Sequence, residues 1–331
     1  MSAVTHDPGV GSRVGTGLAF AVASAASFGL SGSLGTALID AGWSPGAAVT
    51  VRVLGAVLVI GGPALCALRG RWSLLRDNLT FIGAYGVAAV ATAQLCFFNA
   101  VAHMPVGVAL LIEYTAPVAV VGWMWLRHGH VPSPLTWVGS AVAAVGLLLL
   151  LDLGAGSTVT LPGVLWSLGA MAGAAAYFVL SADERGGLPP LVLAAGGLLV
   201  GGLLICAAGL VGVVPMALAA DQVVLAGARL PWWVAVLGLA VVTAAVAYTT
   251  GIAAGRRLGA RLASFVALLE VVMAVLFAWL LLGQLPVLLQ MLGGLLVLVG
   301  VAVVKVGERD VRAGEPELAC VLAADEDLAG Q

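Results

Sequence analysis

Runs of apolar residues, each about as long as a bilayer is thick, follow one another along almost the whole chain. A membrane-crossing helix needs roughly 20 mostly apolar residues, since a rise of about 1.5 Å per residue must cover a hydrocarbon core of about 30 Å. Such runs lie at 15–38, 45–68, 79–101, 105–126, 134–151, 161–180, 190–213, 231–254, 258–282 and 286–306. Proline marks many of the breaks, as at Pro45, Pro105, Pro132, Pro134, Pro162, Pro189, Pro190, Pro231 and Pro286; it suits a first helical turn and is unfavourable deeper inside. Charged residues make up only 9% of the chain against 62% hydrophobic ones, too few to coat a water-facing surface of this size. Lipid forces backbone polar groups to bond within their own segment. The expected fold is therefore all-α, with ten transmembrane helices. The 45 glycines suit such a bundle, because small residues let helix backbones approach closely in lipid.

Charge sets the expected orientation. Cytoplasmic loops carry the excess of Lys and Arg. With the N-terminus inside and the spans alternating, 12 of the 14 basic residues fall in cytoplasmic segments; Arg229 falls outside and Arg52 within a span. Nine or eleven spans would break the alternation. The expected location is a bacterial inner (plasma) membrane, multi-pass, with both termini cytoplasmic. The chain also matches itself at an interval of 154 residues: Trp125-Leu126 meets Trp279-Leu280, Pro132 meets Pro286, and Leu135, Gly139 and Gly146 meet Leu289, Gly293 and Gly300. Five spans per half is an odd number, so the halves must be inverted, an arrangement common among secondary transporters. The expected organisation is a cytoplasmic tail (1–14), two five-helix repeats (15–152 and 153–306) and an acidic, disordered C-terminal tail (307–331).

Ionisable groups inside spans are costly and point to function. Three stand out: Arg52, Glu113 and Glu270. Glu113 opens the segment Glu113-Tyr114-Thr115-Ala116-Pro117. Pro117 cannot donate to the carbonyl of residue 113, and such broken backbone is tolerated where it lines a cavity. This segment is the first candidate for a substrate-binding element. Arg52 and Glu113 lie at similar depth in the second and fourth spans. They could pair, or Arg52 could hold a substrate carboxylate through two parallel hydrogen bonds. Gln94, Asn99, Tyr248, Thr249, Thr250 and Tyr177 could line the same cavity or simply join helices. Cys66, Cys96, Cys206 and Cys320 are widely spaced and fit neither a disulfide framework nor a zinc site. With a formal net charge of −2, nothing suggests nucleic acid. No enzyme constellation, cofactor motif or metal motif is visible.

These residues resemble the drug/metabolite transporter superfamily, in its ten-helix EamA-type branch, over about residues 13–306. PVGVALLIEYTAPVAV, with its carboxylate-aromatic-Thr-x-Pro element, and SPGAAVTVRVLGA, with Arg52, look like the threonine/homoserine exporter group. The segment ASFVALLEVVMAVLFAWLLLGQLP resembles the family's ninth helix and the turn after it, with departures at Val271, where the family has Pro, and Gln284, where it has Glu. The resemblance implies export of amino acids or similar metabolites, driven by the proton gradient. Multidrug efflux, metabolite uptake and, more remotely, an intramembrane enzyme or sensor are the competing readings. The partners called for are a small-molecule substrate, the lipid bilayer and a coupling proton, with a homodimer left open.

Overall fold

A computed structural model describes residues 8–116, 133–151, 159–181, 187–285, 287–289, 291–304 and 306. Its helices follow the apolar runs. The first is α1 (Pro8–Asp40). Next comes α2 (Pro45–Leu68), which begins on Pro45 with Ser44 as its cap, the hydroxyl accepting from the Ala47 amide. A short α3 (Trp72–Asp77) precedes α4 (Leu79–Ala84), which continues through a π-helical segment, Tyr85–Thr92, into α5 (Ala93–Val101). Then come α6 (Val106–Glu113), α7 (Pro134–Leu151), α8 (Leu161–Ser181) and α9 (Pro190–Leu210). After a hairpin, α10 (Trp232–Leu237) runs through a second π-helical segment, Gly238–Val246, into α11 (Ala247–Leu282). The last apolar helix, α12, covers Met291–Val304. Among the described residues, six helices are long and apolar enough to cross a membrane, and three more are apolar but shorter.

The chain forms two compact units, one of residues 1–114 and 154–287 and the other of 115–153 and 288–331. In the first, α11 does not run straight. Gly238, at the start of the second π segment, lies against Leu34 of α1, and Gly17 lies against Arg257 and Leu258. The chain therefore descends antiparallel to α1. Gly29, however, lies against Glu270 and Met273, so beyond Leu258 the chain climbs parallel to α1. A straight helix would hold Tyr248 and Glu270 roughly 33 Å apart, yet both line one cavity. The reversal falls between Leu258 and Glu270, just past Arg256 and Arg257, where the sequence separates its eighth and ninth runs. Close approach elsewhere depends on glycine: a methyl group on Gly173 of α8 would sit 2.6 Å from the backbone of Ala93.

The link between α9 and α10 is structured. Val223–Leu225 (β1) and Ala228–Leu230 (β2) pair antiparallel, with Leu225 opposite Ala228. The turn residues Ala226 and Gly227 both have positive φ, 51° and 76°, as a two-residue hairpin turn of this kind requires. The Ala226 amide is held by the Leu281 carbonyl at 2.8 Å. The stretch before the hairpin straps onto the α1–α2 turn: the Ser44 hydroxyl donates to the Pro215 carbonyl (2.7 Å), and the Trp43 indole donates to the Ala219 carbonyl (2.7 Å).

In the second unit, α7 and α12 cross with backbones in contact. A methyl group on Gly139 would lie 2.6 Å from the Val304 amide nitrogen and 2.7 Å from the Gly300 carbonyl. One on Gly146 would meet the Val297 amide nitrogen and the Gly293 carbonyl at the same two distances. Only residues without side chains pack this closely.

Candidate functional site

Polar side chains in the first unit converge on a cavity of about 100 Å³. At roughly 10–15 Å³ per enclosed water, that holds several waters or one small solute. Its charged lining, among the described residues, is Arg52, Glu113 and Glu270. An aromatic cluster completes it: the rings of Phe28, Tyr177 and Tyr248 meet edge-on with centroids 5.1–6.1 Å apart.

Arg52 is 1% exposed, and its partners are neutral. One terminal nitrogen donates to Gln94 Oε1 and the other to the Thr243 carbonyl, while Cζ lies 5.5 Å from the centre of the Phe98 ring. Gln94 in turn donates through Nε2 to the Tyr248 hydroxyl at 2.8 Å. The sequence left Arg52 either to pair with Glu113 or to hold a substrate carboxylate; in the structure its terminal nitrogens bond to Gln94 and Thr243. A guanidinium has five donors in a rigid fork and is well met by carbonyl oxygens on separate helices. Gln94 and Tyr248 each sit one residue past the start of the α-helix that follows a π segment. Such segments recur at functional sites.

The two carboxylates differ. Glu270 Oε2 accepts from the Tyr114 hydroxyl at 2.7 Å. Glu113 lines the cavity and is the last residue of α6, after which Tyr114 takes φ −74°, ψ 3°, so the helix breaks where the sequence placed a break. No hydrogen bond to the Glu113 carboxylate is formed among the described residues. Glu113 thus presents an open acceptor to the cavity.

Gln94, Tyr114 and Tyr248 line the cavity with the three charged residues. Thr115 belongs to the second unit, and Pro117 lies outside the described residues. Asn99 does not join them: its amide donates to the Leu95 carbonyl at 2.7 Å, a bond within its own helix. Thr249 and Thr250 likewise bond back to carbonyls one turn earlier. Sequence reasoning missed Phe28, Phe178, Ser24 and Ser181, all cavity-lining, because apolar or small residues within apolar runs carry no signal that separates a cavity wall from helix packing.

Apolar helices enclosing a polar, charged cavity define a polytopic membrane protein with room for a small solute. The chain belongs to the EamA-like transporter family, whose model matches it twice, over residues 15–152 and 161–306. It is a multi-pass membrane protein of a family of small-metabolite transporters. A solved structure described only as the crystal structure of a protein is similar over 88% of this chain and 98% of its own, with a TM-score of 0.57 and 20% identity; that likeness shows the fold alone. No curated protein matches the chain.

Proposed function

We propose that this protein is a secondary-active transporter of ten spans in two inverted halves, 15–152 and 153–306, which exports small amine-bearing metabolites, amino acids among them, in exchange for protons. The observation that carries the reading is the convergence of Arg52, Glu113 and Glu270 on one cavity. A carboxylate open to such a cavity can hold a proton or a substrate ammonium, but not both. That exclusion is what antiport requires.

The two-half arrangement draws support from three features at the 154-residue interval. The π segments, 85–92 and 238–246, coincide within one residue when shifted by it. Gln94 and Tyr248, which hydrogen-bond to each other, are separated by 154. The contact of Gly139 with Gly300 becomes, after the exchange, that of Gly293 with Gly146, which is also present. A substrate site between such halves is the usual arrangement in secondary transporters.

The test is flux into proteoliposomes with an imposed pH gradient, screened across the amino acids and simple amines. The reading expects at least one solute to accumulate with the gradient and to dissipate it. Accumulation of none, with the protein correctly inserted, would contradict it.

A further inference from the structure

We infer that the cavity carries a carboxylate pocket, formed by the Nε edge of Arg52 and the Ser31 hydroxyl, which makes zwitterions its preferred solutes over simple amines; the inference rests on the proposed transport site and narrows its substrate class.

Arg52 has donors to spare. A guanidinium carries five N–H groups, and two of them serve Gln94 Oε1 and the Thr243 carbonyl. Its Nε, in a residue only 1% exposed, has no hydrogen-bond partner among the described residues. The Ser31 hydroxyl is likewise buried and without one. Both residues line the cavity. Gln94 is itself braced by the Tyr248 hydroxyl, so the fork is fixed through its terminal nitrogens while its Nε edge stays available. A carboxylate can dock there side-on, one oxygen on Nε–H and the other on a remaining N–H, without displacing either protein partner.

The unmet groups gather around one stretch of α1. The Ser24 hydroxyl donates to the Ala247 carbonyl at 2.9 Å, and Gly238 lies against Leu34. Thr243, between residues 238 and 247, is therefore level with the part of α1 between Ser24 and Leu34, which holds Ser31. Gly29 lies against the Glu270 backbone. The Glu270 carboxylate in turn takes the hydroxyl of Tyr114, the residue that follows Glu113.

The inventory is two donors, Arg52 Nε and Ser31, and one acceptor, Glu113. Buried polar groups without partners are costly, and a site built to hydrogen-bond a solute group discriminates against the analogue that lacks it. A simple amine answers Glu113 alone. A simple carboxylate answers the two donors alone. A molecule with both groups answers all three, its carboxylate toward the guanidinium and its ammonium toward Glu113. The fork is already anchored, so little ordering is lost when the carboxylate arrives. An ammonium seated at Glu113 displaces that carboxylate's proton to water, so binding of a zwitterion and release of a proton are one event.

Calorimetric binding to the purified full-length protein in detergent tests this, at about pH 6.5, where the amines of acids and amides alike are charged. The probes are L-threonine, L-alanine, L-leucine and L-phenylalanine, each against its carboxamide. At least one acid should bind about tenfold or more tightly than its amide, which replaces a charge-assisted contact with a neutral one. Ser31→Ala should weaken that acid about threefold or more and leave the amide within about twofold. Arg52→Lys keeps the charge but not the fork and should narrow the acid's advantage about threefold or more. Amides bound as tightly as acids, equal losses for acid and amide in Ser31→Ala, an acid advantage untouched by Arg52→Lys, or binding of none of the eight overturns the inference. Flux of the same compounds is read separately. Acid preference in binding without flux of any compound would uphold the pocket and sink the transporter reading; flux with amides bound as tightly as acids would do the reverse.

Discussion

Arg52 is the side chain whose role changes most between sequence and structure. Its position within a span marks it as functional or paired, since a charge there is expensive. Its partners could not be read: Gln94 lies in another span, and Thr243 offers only a backbone carbonyl, which has no sequence signature. Removing the guanidinium strands both, and each unsatisfied buried group costs about 1–3 kcal/mol. Arg52→Ala should therefore destabilise the protein by about 3 kcal/mol or more, and Arg52→Lys less, because it restores the charge without the fork. Asn99→Ala, whose side chain bonds only within its own helix, should cost under about 1 kcal/mol. Thermal unfolding of the three variants in one detergent orders them; equal losses from Arg52→Ala and Asn99→Ala would contradict the assignment. Glu113 and Glu270 were visible as candidates for the same reason as Arg52, but which carboxylate stays open depends on the Tyr114 hydroxyl, and no spacing rule reports that.

The helices themselves were largely legible. Apolar length located them, and proline located their starts, as at Pro45, Pro134 and Pro190. The π segments and the 223–230 hairpin were not. A π segment adds one residue per turn to suit its neighbours, so it answers to tertiary fit rather than to local propensity. Glycine shows the same limit. Gly62 and Gly173 look alike in sequence, yet a methyl group on Gly62 meets nothing within 4 Å, while one on Gly173 would lie 2.6 Å from Ala93 backbone atoms. Gly62→Ala should raise stability by about 0.5–1 kcal/mol through lost unfolded-state freedom. Gly173→Leu should force α8 away from the α4–α5 helix and cost about 1–3 kcal/mol or more. Melting temperatures of both variants decide this, and a destabilised Gly62→Ala would show that its face is covered.

For the whole molecule, composition and run length established the class, and the family match agrees. Orientation rests on the basic residues alone. Placing Ser73→Cys in a protein lacking Cys66, Cys96, Cys206 and Cys320 tests it: the loop near 69–78, with Arg69, Arg71 and Arg76, should react with impermeant thiol reagents only from the cytoplasmic side. Strong labelling from the opposite side would invert the topology. The 154-residue interval was detectable in the last two spans of each half, where Trp, Pro and Gly coincide. It was silent in the third and eighth, where a shared backbone distortion rather than shared residues carries it. The central claim is that one open carboxylate in the cavity couples solute to proton. Its most direct measurement compares wild type with Glu113→Gln in proteoliposomes, recording solute flux across a series of imposed pH gradients. The account predicts that Glu113→Gln inserts normally but either carries no solute or carries it at a rate indifferent to pH; transport at the wild-type rate with the wild-type pH profile would contradict it.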